Sequence, residues 1–435
     1  MGRLNRRLAV ALLLSAQVLA ATAGQVLGFT GFGTATADAT YGQQMTFRVA
    51  LTGGAPAKME LLLRFAGSEA TLVAPVEASG SQASYVWDAA QRYVTPNTRI
   101  VYQWRATDGG NVSLSPEQTL LYDDDRAGLD WQAAVIGDAT VHWYGGAEQT
   151  ARRFGELTAD GAARAEALLG HQMNGPVDIF VYDAREDFFG ALGPGAREWF
   201  GAATFPQIRT VFMWLGAGSN DYLETTIVHE VTHVVFHDAT ANPFHEPAKW
   251  LNEGLATWSE RRSAEDQRAT VEFEAHGGGL FAFDAIAYDF PFGTRGSSLS
   301  YAMGTTMIDM IIGQYGDAAM ARMAAAYRGG ASDEDALEAG TGVPAERLFN
   351  DFYASFGVDA PQPVAPAPLL PSNVRKPGGP GATDGGTVPS APASPAQGEP
   401  GGLGWVLVVA ALILVVVVGF ATWAARRRVS RREPR

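Results

Sequence analysis

Two histidines and a glutamate stand at the spacing His-Glu-x-x-His in Thr225-Thr-Ile-Val-His229-Glu230-Val-Thr-His233. On a helix, positions i and i+4 share one face a turn apart, so His229 and His233 can aim their imidazoles at a single point. Glu230 falls about 100° round the helix, off the ligand sphere but close enough to orient and deprotonate a bound water. Glu253 follows His233 by twenty residues, within Trp250-Leu-Asn252-Glu253-Gly254-Leu-Ala256, and is the candidate third ligand. Two imidazoles and one carboxylate leave the fourth position on a zinc ion open to water. That donor set belongs to catalytic rather than structural zinc.

The flanks sharpen this reading. Ile227, Val228, Val231, Val234, Val235 and Phe236 predict a largely buried helix. An unpaired polar group buried there costs roughly 2–7 kcal/mol, and a metal relieves that cost for His, Glu and His together. Other third ligands compete on geometry. His237 lies eight residues from His229, about 12 Å along the axis, too far for both to reach one ion. A Gly three and a His six residues beyond His233 would mark a different ligand pattern, but Phe236 and Ala239 stand there. His245 and Glu246, after Asn242-Pro243-Phe244, are loop rivals to Glu253.

The elements that must hold these residues come from hydrophobic periodicity. Ala147–Leu169 has the composition of a long helix, while Pro176–Tyr182 and Thr210–Trp214 read as strands. Strand followed by metal helix fits a zincin-like α/β plan in which an edge strand borders the cleft and can receive an extended peptide through backbone hydrogen bonds. Met303, Met307, Met310, Ile311 and Tyr315 recur at helical spacing and predict core filling within a helical stretch, 301–356. Earlier, Phe47, Val49 and Leu51, then Met59, Leu61, Leu63 and Phe65, then Ile100, Tyr102 and Trp104 alternate with more polar neighbours. Separated by glycine turns, they predict an all-β, immunoglobulin-like sandwich of about seven strands. Its expected role is a spacer or brace, with partner binding as the rival.

The two ends point to a membrane. Arg3, Arg6 and Arg7 precede an apolar run and the small residues Ala21-Thr-Ala23, which predicts a signal peptide over 1–23. Residues 403–425 are uncharged, apolar and bracketed by Trp405 and Trp423, long enough to span a bilayer. Six arginines follow in 426–435, which sets that tail in the cytoplasm by the positive-inside rule. The expected organisation is a sandwich over 24–126, a catalytic domain over 127–358, a Pro/Ala/Gly/Ser-rich linker over 359–402, the span and the tail. This is a single-pass type I protein of the cell membrane with its catalytic domain outside. Of the net charge of −14, the signal carries +3 and the tail +5, leaving −22 on the exported part. Such an acidic ectodomain excludes nucleic acid as a partner. With no cysteine in the chain, any metal is held by N and O donors.

Residues 222–260 resemble the gluzincin metallopeptidases, and Trp250-Leu-Asn-Glu-Gly-Leu-Ala is similar to the W-L-N-E-G-F-A element of the M1 aminopeptidase-like branch. From about Trp131 to Phe356 the chain resembles the compact bacterial peptidase MA-like domains. The resemblance implies one Zn²⁺ held by His229, His233 and Glu253, with Glu230 as general base and a peptide or protein as substrate. It also implies a phenol or imidazole beside the developing oxyanion. Ser300-Tyr301-Ala-Met-Gly fits that position best and Tyr288 second. Three features depart from the pattern. The spacer from His233 to Glu253 is one residue longer than the common M1 form, Thr257 stands where thermolysin-like enzymes have Asp, and G-x-M-E-N is absent, with only a poor echo at Gly195-Ala-Arg-Glu198-Trp. The expected function is thus a membrane-anchored extracellular zinc metallopeptidase. The rivals are an adhesion or sensory ectodomain with an inactive zinc domain, and hydrolysis of another amide or ester.

Overall fold

The computed structural model describes residues 28–193, 201–260, 264–291 and 293–362. The first strands owe their form to period-2 alternation. In Thr98–Asp108, Ile100, Tyr102, Trp104 and Ala106 are buried while their neighbours face outward. Nine strands build two antiparallel sheets: β1 (Phe29–Thr40), β2 (Gln44–Gly53), β3 (Lys58–Phe65), β4 (Leu72–Val76), β5 (Ala78–Ser79), β6 (Gln82–Asp88), β7 (Thr98–Asp108), β8 (Asn111–Leu114) and β9 (Gln118–Tyr122). One sheet runs β1-β2-β6-β5; the other runs β4-β3-β7, with β8 and β9 both on β7. Met45, Phe47, Val49, Leu61, Leu63, Ile100 and Trp104 fill the space between. The sequence predicts about seven strands. The shortfall lies in elements such as β5, two residues long, and β8, whose four residues are all exposed, so neither carries an alternation to read.

The second half is a five-stranded sheet with helices. β10 (Gln132–Ile136) and β11 (Ala139–Trp143) form a hairpin, β11, β12 (Val177–Tyr182) and β14 (Thr210–Trp214) run parallel, and β13 (Ala202–Phe205) lies antiparallel on β14. The order β10-β11-β12-β14-β13 makes β13, not β14, the edge strand on the side of the metal helix. Helices α1 (Glu148–Leu169), α2 (Arg185–Leu192), α3 (Asn220–Thr240), α4 (Lys249–Ser259), α5 (Ala264–His276), α6 (Thr294–Tyr315), α7 (Ala318–Arg328), α8 (Asp333–Thr341) and α9 (Ala345–Ala354) complete it. Val141, Ile179, Val181, Val211 and Met213 share one core with Phe154 of α1 and Val231 of α3. Met303, Met307 and Ile311 are buried in that core, as their helical spacing predicts.

Phe180, Tyr182 and Phe212 instead join a smaller cluster with Phe188 of α2, and Trp131 packs against it. The sandwich is tied to this part of the molecule by buried hydrogen bonds. Tyr41 and Tyr93 donate their hydroxyls to the Ala191 carbonyl at 3.2 and 2.6 Å. Asn97 donates to Asp178 and Thr210 at 3.0 and 2.9 Å. The Asp123–Arg126 stretch, expected as a boundary, is a joint. Asp124 is 1% exposed, accepts two bonds from Arg126 at 2.7 and 2.6 Å and a third from Tyr182 at 3.1 Å. All described residues fall within one compact unit, Met1–Ala365. Among them no helix is long and apolar enough to cross a membrane. The expected signal peptide, most of the linker, the span over 403–425 and the arginine tail lie outside the described residues.

Candidate metal centre

Helix α3 is rich in β-branched residues, which are indifferent helix formers. Burial holds it instead: Ile227, Val228, Val231, Val234 and Val235 are enclosed, and the Ser219 hydroxyl accepts from the Tyr222 amide at its start. The polar residues of the motif occupy one narrow strip of this helix. Across from it, α4 buries Trp250, Leu251 and Leu255 and turns Glu253 toward the same strip.

The two Nε2 atoms of His229 and His233 lie 3.1 Å apart, and Glu253 Oε2 is 3.5 and 3.6 Å from them. Among the described residues this is the one group of three or more such side chains whose ligand atoms all fall within 4.8 Å of one another. Both Nδ1 atoms face outward to acceptors, His229 to Glu260 Oε1 at 2.9 Å and His233 to the Asn252 amide oxygen at 2.8 Å. An acceptor at Nδ1 places the neutral imidazole's proton there and leaves Nε2 as a lone pair. In those neutral tautomers two lone pairs and a carboxylate converge on one point, a donor set that fits a zinc ion. Neither His245 nor Glu246 joins this group. Both His245 nitrogens are buried elsewhere, and Glu246 is exposed. His237 is half-buried one turn beyond His233, and burial lowers its pKa.

The charges are coupled. Burial opposes the imidazolium of His229, but hydrogen bonds to Glu253 and Glu260 outweigh it and raise its pKa to about 10. Burial likewise opposes ionisation of Glu253, yet the two histidines hold it down to about 2. A cation satisfies both demands at once, since it neutralises the carboxylate and takes the place of the proton.

Glu230 is near enough for its charge to act on His229 and Tyr301, and Thr204 of β13 donates to its Oε2 at 2.6 Å. Tyr301 lies on α6 with its ring centroid 6.3 Å from that of His229, and Phe290 packs edge-on against it at 5.2 Å. Burial, with the Glu253 carboxylate beside it, pushes the Tyr301 phenol far above its ordinary pKa, so it stays protonated and can donate. Tyr288, the alternative, is 91% exposed and packed by nothing that would fix it. Helices α4 and α6 touch backbone to backbone. A Cβ on Gly254 would strike Gly304, and one on Gly304 would strike the Trp250 carbonyl. The glycine contact thus sets the spacing between the helices that carry Glu253 and Tyr301.

Three residues of this arrangement escaped the sequence reading. Glu260 supplies the outward carboxylate that Thr257 cannot, and its signal was there: it lies seven residues beyond Glu253, two turns along the same face of α4. Asn252 adjoins Glu253 in sequence but accepts from His233. Thr204 carries no motif and no alternation, and only the sheet order reveals it.

Residues 158–357 match the Peptidase MA superfamily model. No curated protein matches the sequence. Among solved structures, an M1 zinc metallopeptidase from Deinococcus radiodurans is 13% identical, covers 75% of this chain and 92% of its own, and has a TM-score of 0.33. An aminopeptidase N family protein from Idiomarina loihiensis is 8% identical, covers 74% and 70%, and has a TM-score of 0.32. Overlaps this loose add no weight, so the assignment rests on the matched segment. That segment contains both helices supplying the converging donors, and over residues 158–357 the chain is similar to the Peptidase MA superfamily.

Proposed function

We propose that this chain is a zinc-dependent metallopeptidase that hydrolyses peptide bonds outside the cell. The observation that carries the reading is the convergence of two imidazole lone pairs and a carboxylate beside a second, separately held carboxylate. His229, His233 and Glu253 would hold the metal. When bound, zinc supplies Lewis acidity that brings the pKa of a coordinated water toward about 7. Glu230 accepts the proton from the attacking water and returns it to the leaving amine. The Tyr301 hydroxyl, kept protonated by its surroundings, donates to the developing oxyanion. The open edge of β13 offers a peptide backbone a partner strand.

For the remainder of the chain the reading is type I membrane anchoring through 403–425. It is supported by the uncharged apolar run and the arginines that follow. Strand order supports an immunoglobulin-like sandwich: with β8 taken as an insertion, the sheets are A-B-E-D and C′-C-F-G.

The test is metal analysis with cleavage of a mixed peptide library by the parent and Glu230→Gln. Gln is nearly isosteric with Glu but cannot take the proton. We expect unchanged zinc content and hydrolysis lower by about 10²–10⁴-fold. A Gln variant that cleaves as fast as the zinc-loaded parent would replace the hydrolase reading with that of a binding module.

A further inference from the structure

The base of a hydrolytic site needs more than proximity. Glutamate has three side-chain torsions, and holding it in one reactive pose costs entropy that the surroundings must offset. The neighbours of Glu230 on α3, Val231 and His229, turn to the core and to the converging donors. The selection comes from elsewhere in the chain. Thr204 Oγ1 lies 2.6 Å from Glu230 Oε2, in the range of a charge-assisted bond, and 3.3 Å from the Glu230 backbone carbonyl. A hydroxyl has a single proton, and the shorter contact to the carboxylate takes it.

We propose that Thr204 is a positioning residue for the hydrolytic step: from the sheet edge its hydroxyl fixes one carboxylate oxygen of Glu230 and leaves the other turned to the reacting water. The inference rests on the metallopeptidase reading above and deepens it. The anchor is itself rigid, since β13 is held along its length by β14, with Thr204 opposite Val211 and Ala203 opposite Phe212. A donor on a strand is placed more accurately than one on a loop. Among the described residues β13 is one of the two terminal strands of its sheet, so a peptide added there would lie along the element that orients the base. Substrate and base are registered to the same backbone. The Thr204 side chain points to Glu230 rather than into the backbone ladder, so losing its hydroxyl should disturb turnover and leave peptide binding alone.

The experiment compares Thr204→Val, which keeps the shape and removes the donor, with Thr204→Ser, which keeps the donor and removes the methyl. With zinc loaded, the Val variant should lose kcat by about 10–100-fold at unchanged KM, the scale of a misplaced catalytic group. The Ser variant should stay within about 3-fold of the parent. A readout independent of turnover is thermal coupling: Thr204→Val should lower the midpoint by about 2 °C in the parent and by nothing in a Glu230→Ala background. Equal losses in Val and Ser, or a change confined to KM, would overturn the proposal by assigning Thr204 to strand packing or substrate binding. A parent that cleaves while Thr204→Val matches it would sink the Thr204 assignment alone. A parent that cleaves no peptide, with Glu230→Gln indistinguishable from it, would sink the hydrolase reading and the role of Thr204 with it.

Discussion

Among the described residues, one buried polar cluster lies at the joint behind the five-stranded sheet and another between α3 and α4. At the joint, Asp124 receives two bonds from Arg126 and one from Tyr182, so each acceptor meets a donor. Between the helices the Nδ1 atoms face outward, to Glu260 and Asn252, and the two Nε2 atoms face each other and the Glu253 carboxylate, where a cation can replace a proton. Both clusters enclose a tyrosine whose pKa burial and a neighbouring carboxylate push upward, Tyr182 in one and Tyr301 in the other. Burial, charge and a shifted phenol are therefore common to both. What separates a fastening from a reactive centre is the direction in which lone pairs point.

The comparison breaks most visibly if the ligands are removed. His233→Ala and Glu253→Ala should each bring zinc from about one per chain to near none, read by elemental analysis, with hydrolysis lost. Full retention in Glu253→Ala would strike it from the ligand set. Asp124→Ala at the joint should do the reverse. Leaving Arg126 without its buried partner costs about 3–5 kcal/mol, read in denaturant melts, while the folded fraction keeps its zinc. Zinc loss with an intact fold would mean that the clusters are not independent. Next in size is Glu260→Gln, which removes the carboxylate behind His229. Zinc affinity should fall about 10–100-fold by competition titration, with the fold unchanged in excess metal.

The smallest effect is a pH dependence of the chelator-treated protein. The folded pKa of His229 lies above its ordinary 6.5, at about 10, so its contribution is complete below 6.5 and lost as pH rises through about 10. Glu253 lies below its ordinary 4.5, at about 2, so its contribution is complete above 4.5 and lost as pH falls toward about 2. The thermal midpoint of the parent relative to His229→Ala should peak between these limits. A relative midpoint that climbs from pH 6.5 to 9 contradicts the assigned pairing.

Much of this was legible in the residues. The helix read over 147–169 runs from Glu148 to Leu169, the strand read over 176–182 runs from Val177 to Tyr182, and that at 210–214 stands as spaced, because long periodic runs have one good way to bury their apolar side. The closeness of His229 and His233 was legible because helical geometry converts sequence spacing into distance, and the Trp250–Ala256 segment pointed to Glu253 beside them. Strands β10, β11 and β13 were not. β13 is Ala-Ala-Thr-Phe with all four residues half-buried, and no local pattern marks a strand that is defined by its neighbour. Thr204 was hidden for the same reason: its partner is 26 residues away, and only the sheet brings them together. The joint was read as a boundary because three consecutive aspartates look solvated until one of them is found buried against Arg126.

The glycine contact between α4 and α6 has a consequence for how such a site can change over generations. Side chains that space helices apart can be exchanged, and each exchange shifts the helices by a fraction of an ångström. Where two backbones touch, as at Gly254 and Gly304, that freedom is gone, and the crossing acts as a fixed gauge. Mutational drift can rework the methionines at 303 and 307, whose pliant side chains refill whatever space is left. The ligand carboxylate and the phenol keep their separation throughout, because it is measured between main chains and inherits nothing from the changing core.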